Sequence, residues 1–229
     1  AAIYEACSSG LDKYGNQMNM KHLKAELNES SNKAAKTVAS KMLPFLDSVE
    51  FSKTQCDWGD ILYNKSGKLT IFQLTNFVRD IQVIITEFML WDMWHFTKKN
   101  GGKDKPFAVV LDEAQNLSHA DNSPSGMILT EGRKFGWSAW YATQSLKVLN
   151  DDEVTRLLQS AFKLYFKPTD AEIIPMAKQL NPNDTNEWKA PLSGLKKGEC
   201  IVVGDRIQKD ENFRAGRPAL TQVTSFEER

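Results

Sequence analysis

Residues Phe107–Gln115 read Phe-Ala-Val-Val-Leu-Asp-Glu-Ala-Gln, a short apolar run that ends in two adjacent carboxylates. A run this short and this apolar predicts a buried strand of a parallel sheet. Parallel strands need long crossovers between them, usually helices. Ligand chemistry in such sheets gathers beyond the carboxyl ends of the strands, where Asp112 and Glu113 stand.

The surrounding pattern supplies the crossovers. Leu69–Leu74 reads as a strand, and Ile81, Ile84, Ile85, Phe88 and Met89 mark a helix broken by the Gly101–Pro106 segment. Ser125–Lys134 reads as a helix, Trp137–Thr143 as a strand, Glu153–Gln159 as a helix and Ala161–Phe166 as a strand. A helix over Ala171–Leu180, capped by Thr169 or Asp170, and a strand over Cys200–Val203 follow, separated by a loop over 181–198. Alternation at this spacing predicts an α/β fold with a mostly parallel sheet flanked by helices. The first fifty residues read as helical instead. Ala1–Ser8 ends one helix, Gly10–Asn19 is a loop, and Met20–Leu27 and Ser31–Leu46 are two more helices. The expected organisation is a helical region over 1–66, a core over 67–204 and an extended polar tail over 205–229.

Composition narrows the function classes. Lys plus Arg equals Asp plus Glu at 29 each, which argues against a wholly basic nucleic-acid-coating protein. Cys7, Cys56 and Cys200 are too few and too scattered for a disulfide framework, and point to a reducing cytoplasm. His22, His95 and His119 have no zinc-ligand spacing. The most apolar stretch, Ile81–Phe96, contains Glu87 and Asp92 and is too short to cross a bilayer, so no membrane partner is expected. The start, Ala-Ala-Ile-Tyr-Glu, lacks the basic opening of a signal peptide.

Three segments carry chemistry, and each has a plainer reading. Asp112 and Glu113 either hold Mg²⁺ and polarise an attacking water, or are solvated acids at a strand end. Arg133, in Glu131-Gly132-Arg133-Lys134-Phe135-Gly136, either neutralises a phosphate or complements a helix C-terminus that Gly136 closes. Thr143 and Gln144, at the next strand end, either sense a γ-phosphate or belong to a polar loop. The polar loop Ser118–Gly126 is either substrate-responsive or a surface connection. A phosphate loop of the form G-x-x-x-x-G-K-[ST] is missing from the sequence. Gly67-Lys68 is followed by Leu69, and Gly102-Lys103 by Asp104. The chain therefore reads as the part of an ATPase that follows its phosphate loop.

In series, Val109–Gln115, Glu131–Gly136, Ala142–Ser145 and Lys197–Gly204 resemble the HerA/FtsK branch of P-loop ATPases. The resemblance covers about residues 67–204 and implies a RecA-like core. It also implies ATP and Mg²⁺ as cofactors, double-stranded DNA as partner, and self-association into a ring in which one subunit's arginine completes its neighbour's site. It assigns Glu113, Arg133 and Gln144 catalytic roles, Asp112 the Mg²⁺ contact, made through water, and Thr143 a nucleotide contact. Motors of this branch serve conjugation and anti-phage restriction, so restriction-complex subunits are a further implied partner. The alternative is a non-catalytic ATPase-like module used for assembly. An unrelated hydrolase or nuclease finds no Gly-x-Ser-x-Gly elbow or His-rich cluster to support it.

Overall fold

Two indoles and a threonine hydroxyl join the longest helix to the sheet. The computed structural model describes residues 2–47, 57–64, 67–204 and 218–223. Helix α5 (Arg79–Asn100) turns its buried residues Leu90, Met93, Trp94 and Thr97 inward. Strands β1 (Phe107–Leu111) and β2 (Trp137–Tyr141) pair in parallel, from Phe107 opposite Trp137 to Leu111 opposite Tyr141. The Trp137 indole N–H donates to Thr97 Oγ1 at 2.9 Å. Trp94 meets Phe135 edge to face at 5.3 Å, and Phe107 meets Trp137 in the same way at 4.9 Å. Each such aromatic pair adds about 0.5–1.5 kcal/mol beyond the area it buries.

The chain divides into two compact units. One comprises Ala1–Leu117 with Gly132–Ala142, and the other Ser118–Glu131 with Thr143–Arg229. In the first unit, helices α1 (Ala2–Tyr14), α2 (Met20–Glu29) and α3 (Ala35–Leu46) share a core of Ala2, Ala6, Leu23, Leu27, Ala35, Ala39 and Leu46. Asn19 caps α2 by accepting from the N–H groups of Lys21 and His22. Glu26 is buried in this bundle, where Ser9 Oγ and Lys13 Nζ donate to it at 2.5 and 2.7 Å. Lys13, first, and Ser9 hold the Glu26 carboxyl below its ordinary range, and the same contact raises Lys13. The short helix α4 (Trp58–Leu62) joins α5 through an indole N–H donated by Trp58 to Asp92 at 2.7 Å.

The second unit contains α6 (Pro124–Glu131), α7 (Asp151–Leu158) and an antiparallel sheet in the order β3 (Phe162–Tyr165), β4 (Glu199–Gly204), β5 (Ala219–Gln222). Helices α8 (Asp170–Leu180) and α9 (Asn186–Gly194) pack there on Tyr165, Leu195 and Ile201, contributing Ala177 and Leu192. Burial pushes the Tyr165 phenol up to about 12.

The α/β class stands, but the expected mostly parallel sheet is corrected: among the described residues the strands form two sheets, parallel in β1–β2 and antiparallel in β3–β4–β5. Several local expectations are corrected. Helix α1 continues through Gly10 to Tyr14, and Gly10 leaves room for Met18, whose Cε stands 2.5 Å from where a Cβ would be. Residues 181–198 include a helix, α9, whose Trp188 and Leu192 pack inward despite Pro191. Leu69–Leu74 has no regular structure. Leu69 is 84% and Ile71 76% exposed, and no described strand supplies the partner that a strand here needs. β1 alternates in burial rather than being covered on both faces: Phe107 and Leu111 are buried, whereas Val110 and its register partner Trp140 are exposed. Thr169 caps α8 without a side-chain bond to backbone, its hydroxyl donating instead to Glu172 Oε2 at 2.9 Å. Residues 48–56 and 65–66 of the expected helical region over 1–66 and most of the expected polar tail lie outside the described residues, although β5 within 205–229 is a paired strand.

The Glu26–Lys13 contact fixes a pH response. A carboxyl held low when folded stabilises the fold above its unfolded pKa, and that stability is lost as pH falls through the lower folded value. The raised lysine acts oppositely, stabilising below its unfolded pKa and losing this as pH rises through its folded value. Thermal melting followed by circular dichroism should therefore show a melting temperature that drops below about pH 4.5. Glu26→Gln should flatten this acid limb; an unchanged limb would remove Glu26 as its source.

Candidate functional site

The parallel pair β1–β2 has two ends with different chemistry. At the carboxyl end, the Ala142 N–H donates to Leu111 O at 2.9 Å, and the Ala114 N–H donates to Ala142 O at 2.8 Å. These bonds bind the chain leaving β1 to the chain leaving β2, and Asp112 and Glu113 form the turn between them. Asp112 is exposed, and its Oδ1 accepts the Glu113 N–H at 2.9 Å. Glu113 is half-buried and has φ 53° and ψ 39°, the left-handed region. It is the sole non-glycine residue with positive φ among the described residues. Such a backbone costs on the order of 1–3 kcal/mol, and outliers of this kind cluster at functional sites.

Three further residues hold this turn. The Gln115 amide donates to Glu113 Oε2, and the Asn116 N–H donates to Glu113 O at 2.9 Å. The Arg79 guanidinium donates to Asn116 Oδ1. Gln115 stands within the motif, but nothing in the sequence gives it a role there. Arg79 lies 37 residues from Asn116 and carries no local signal.

Arg133 lies at the opposite end. It occupies the 3-10 turn Gly132–Phe135 that leads into the amino end of β2, and it is exposed. Five-residue strands span about 13 Å between their end residues, so Arg133 and the two acids are at opposite ends of the same pair. The structure thus brings Asp112 and Glu113 together and keeps Arg133 apart from them. Gly136, with φ 90°, shapes this turn. A Cβ there would lie 2.4 Å from Lys105 O and 2.7 Å from Gly102 O, so no side chain fits.

Thr143 and Gln144 belong to the second unit and are both exposed. The Thr143 hydroxyl donates to Ser145 O at 3.1 Å. Hydrogen bonds from Ser145, first, and from Thr169 hold the Glu172 carboxyl below its ordinary range, against the opposing effect of burial. The loop after Gln144 is thereby tied to the first turn of α8.

The polar loop 118–126 is also tied down. His119 is fully buried, with Nδ1 at 2.6 Å from Ser125 Oγ. Its backbone N–H donates to Glu153 Oε1 at 2.8 Å, and its carbonyl accepts from Arg156 at 3.0 Å. Arg156 pairs in turn with Asp121 at 2.7 Å. Sequence reasoning does not find this network, whose members come from two separate segments.

Among curated proteins, the chain is similar to the DNA double-strand break repair helicase HerA of Sulfurisphaera tokodaii, with 24% identity over 215 residues, 87% of this chain and 40% of that protein. The protein of that name from Sulfolobus acidocaldarius is 23% identical over 181 residues, 74% of this chain and 34% of that protein. The Pyrococcus furiosus protein is 26% identical over 128 residues, 54% of this chain and 21% of that protein. The chain thus spans less than half the length of these relatives. No protein-family model matches it. The similarities support a relation to HerA/FtsK-type P-loop ATPases. Among the described residues, no helix is long and apolar enough to cross a membrane.

The backbone at Glu113 can be tested without any activity. Glycine accepts the left-handed conformation that costs an L-residue about 1–2 kcal/mol. Chemical denaturation should show Glu113→Gly more stable than Glu113→Ala by about 1 kcal/mol. Equal stabilities would mean that the turn relaxes and stores no strain.

Proposed function

We propose that this chain is the portion of an ATP-driven double-stranded DNA translocase that carries its water-activating carboxylates, its intersubunit arginine and its sensor segment. The observation that supports this reading best is the turn after β1. Two adjacent acids leave the carboxyl end of a parallel strand, the second held in a strained backbone by Gln115 and Asn116. Asp112 has an exposed carboxylate and suits Mg²⁺, which takes few protein ligands when it arrives with nucleotide phosphates and water. Bound Mg²⁺–ATP supplies the phosphoryl group. Glu113 orients and polarises the attacking water, and the Gln115 amide fixes the carboxylate that does so.

Arg133 acts on a neighbouring copy. Its position at the far end of β1–β2 removes it from its own acids, and an exposed guanidinium can reach another subunit's phosphates. That contact is the basis of the ring we propose. Thr143 and Gln144 contact the nucleotide and report its state. The wider setting in this reading is bacterial DNA defence, with restriction-complex subunits as partners, as for the HerA-like subunit of phosphorothioation-dependent restriction. A second reading, a non-catalytic assembly module, draws support from the exposed apolar pair Val110 and Trp140.

Two experiments separate these readings. In a protein that joins this chain to a phosphate loop, Glu113→Gln should retain ATP binding and lose turnover by about a hundredfold or more. Unchanged phosphate release would favour the assembly module. Arg133→Ala and Glu113→Gln proteins should each be inactive, yet regain part of the activity when mixed. Arg133→Lys should stay inactive, because a point charge does not reproduce the planar fork. Absence of rescue in verified mixed rings would return Arg133 to a structural role. Residues 1–229 alone should bind Mg-ATP weakly in calorimetry and release no phosphate above background.

A further inference from the structure

We infer that the amino edge of β1–β2 is a docking surface for the phosphate backbone of duplex DNA, built on Lys98, Lys99, Lys103 and Lys105. The first two occupy the last turn of α5, and the other two the segment that joins α5 to β1. All four are exposed. Arg133, which the proposed function assigns to a neighbouring copy's nucleotide, and Lys134 lie in the adjoining turn before β2 and are not part of this surface.

Backbone contacts place these segments side by side. The Phe107 N–H donates to Gly136 O at 3.0 Å, and the Lys105 N–H donates to Gly102 O at 3.0 Å. A Cβ on Gly101 would lie 2.6 Å from Phe135 O, and one on Gly136 would lie 2.4 Å from Lys105 O. The two glycines therefore let the lysine segment and the arginine turn lie against each other. Two lysines are held by aromatic faces: Lys98 Nζ is 5.9 Å from the Trp94 ring and Lys105 Nζ is 5.8 Å from that of Tyr63. Lys105 Nζ also donates to Asn100 O at 3.2 Å. Ordering a lysine before binding reduces the entropy lost on binding.

The charge on this edge is predominantly positive. Among the described residues, no carboxylate forms an ion pair with Lys98, Lys99, Lys103 or Lys105. Asp104, exposed between Lys103 and Lys105, is the one acid in the segment and offsets one of its four positive charges. A whole-chain charge of zero conceals this concentration of cations. Four exposed lysines that form no ion pair among the described residues suit a row of phosphates, which are bound by charge and counterion release. The inference deepens the translocase reading and rests on it for the choice of DNA over another polyanion.

The test is anisotropy titration of the full 229-residue chain against a labelled duplex of about thirty base pairs at salt concentrations from about 50 to 200 mM. Replacing all four lysines by glutamine should weaken binding at least tenfold and reduce the log–log salt slope by about 3.6, at about 0.9 for each phosphate no longer neutralised. Replacing all four by arginine should keep affinity within about twofold, since charge is preserved. The four side chains are exposed, and circular dichroism checks that each variant folds. Arg133 stays in place throughout, so binding through it is unaltered. An unchanged affinity and slope in the glutamine variant would overturn the docking surface while leaving the translocase reading intact. If the unaltered chain binds polyglutamate but not the duplex, the docking surface is overturned and this chain's own hold on DNA falls with it. The Glu113 turnover experiment would still judge the ATPase reading separately.

Discussion

The contact on which the first unit depends is the hydrogen bond from the Trp137 indole to Thr97 Oγ1, set among Trp94, Phe107 and Phe135. It ties a 22-residue helix to the first residue of β2. Without it, two five-residue strands joined by a single ladder would be marginal in water. A fully buried Thr97 that receives this bond also returns one to Trp94 O, so its hydroxyl is satisfied in both directions. Everything of functional interest in this unit hangs on the ends of the two strands so held.

Those ends divide the labour. The carboxyl end gathers acids, one of them on a left-handed backbone. The amino end gathers cations on two segments pressed together at glycines. A sheet only five residues long keeps the two kinds of charge about 13 Å apart, beyond the roughly 8 Å over which exposed charges feel one another at physiological salt. One side of the pair can therefore attract an anion while the other repels it. The two groups of charge do not neutralise each other inside one chain.

Much of this is legible in the sequence where the signal is local. The apolar run before Asp112 identifies β1, and the aliphatic spacing after Ile81 identifies α5. The α/β class follows from that alternation. Where pairing decides structure, the sequence is a poorer guide. Leu69–Leu74 has strand-forming residues but no described partner, while Ala219–Gln222 has weaker ones and pairs with β4. α9 is obscured by Pro191 and by the turn residues ahead of it, yet the burial of Leu192 secures it. At the site, Asp112 and Glu113 are legible because they adjoin the strand that positions them. The separation of Arg133 from them depends on which end of β2 it precedes, which the parallel pairing decides. Arg79 and the His119–Glu153–Arg156 network depend on contacts 34 to 37 residues apart, and no window of sequence contains them.

The division of the chain into units has a consequence for how the protein is made. The polypeptide passes from the first unit to the second after Leu117, returns at Gly132, and leaves again after Ala142. On a ribosome, β1 must wait for the whole of 112–136 before its partner strand exists, and the segment 118–131 emerges during that interval with most of its own unit still unsynthesised. Neither unit can then complete itself in simple order from the amino end, as separate domains on one chain usually do. The same threading means that a single cut after Leu117 would leave β2 of the first unit on the piece that carries the second, so the remainder of the first unit would keep its strand partner only through the β1–β2 hydrogen bonds.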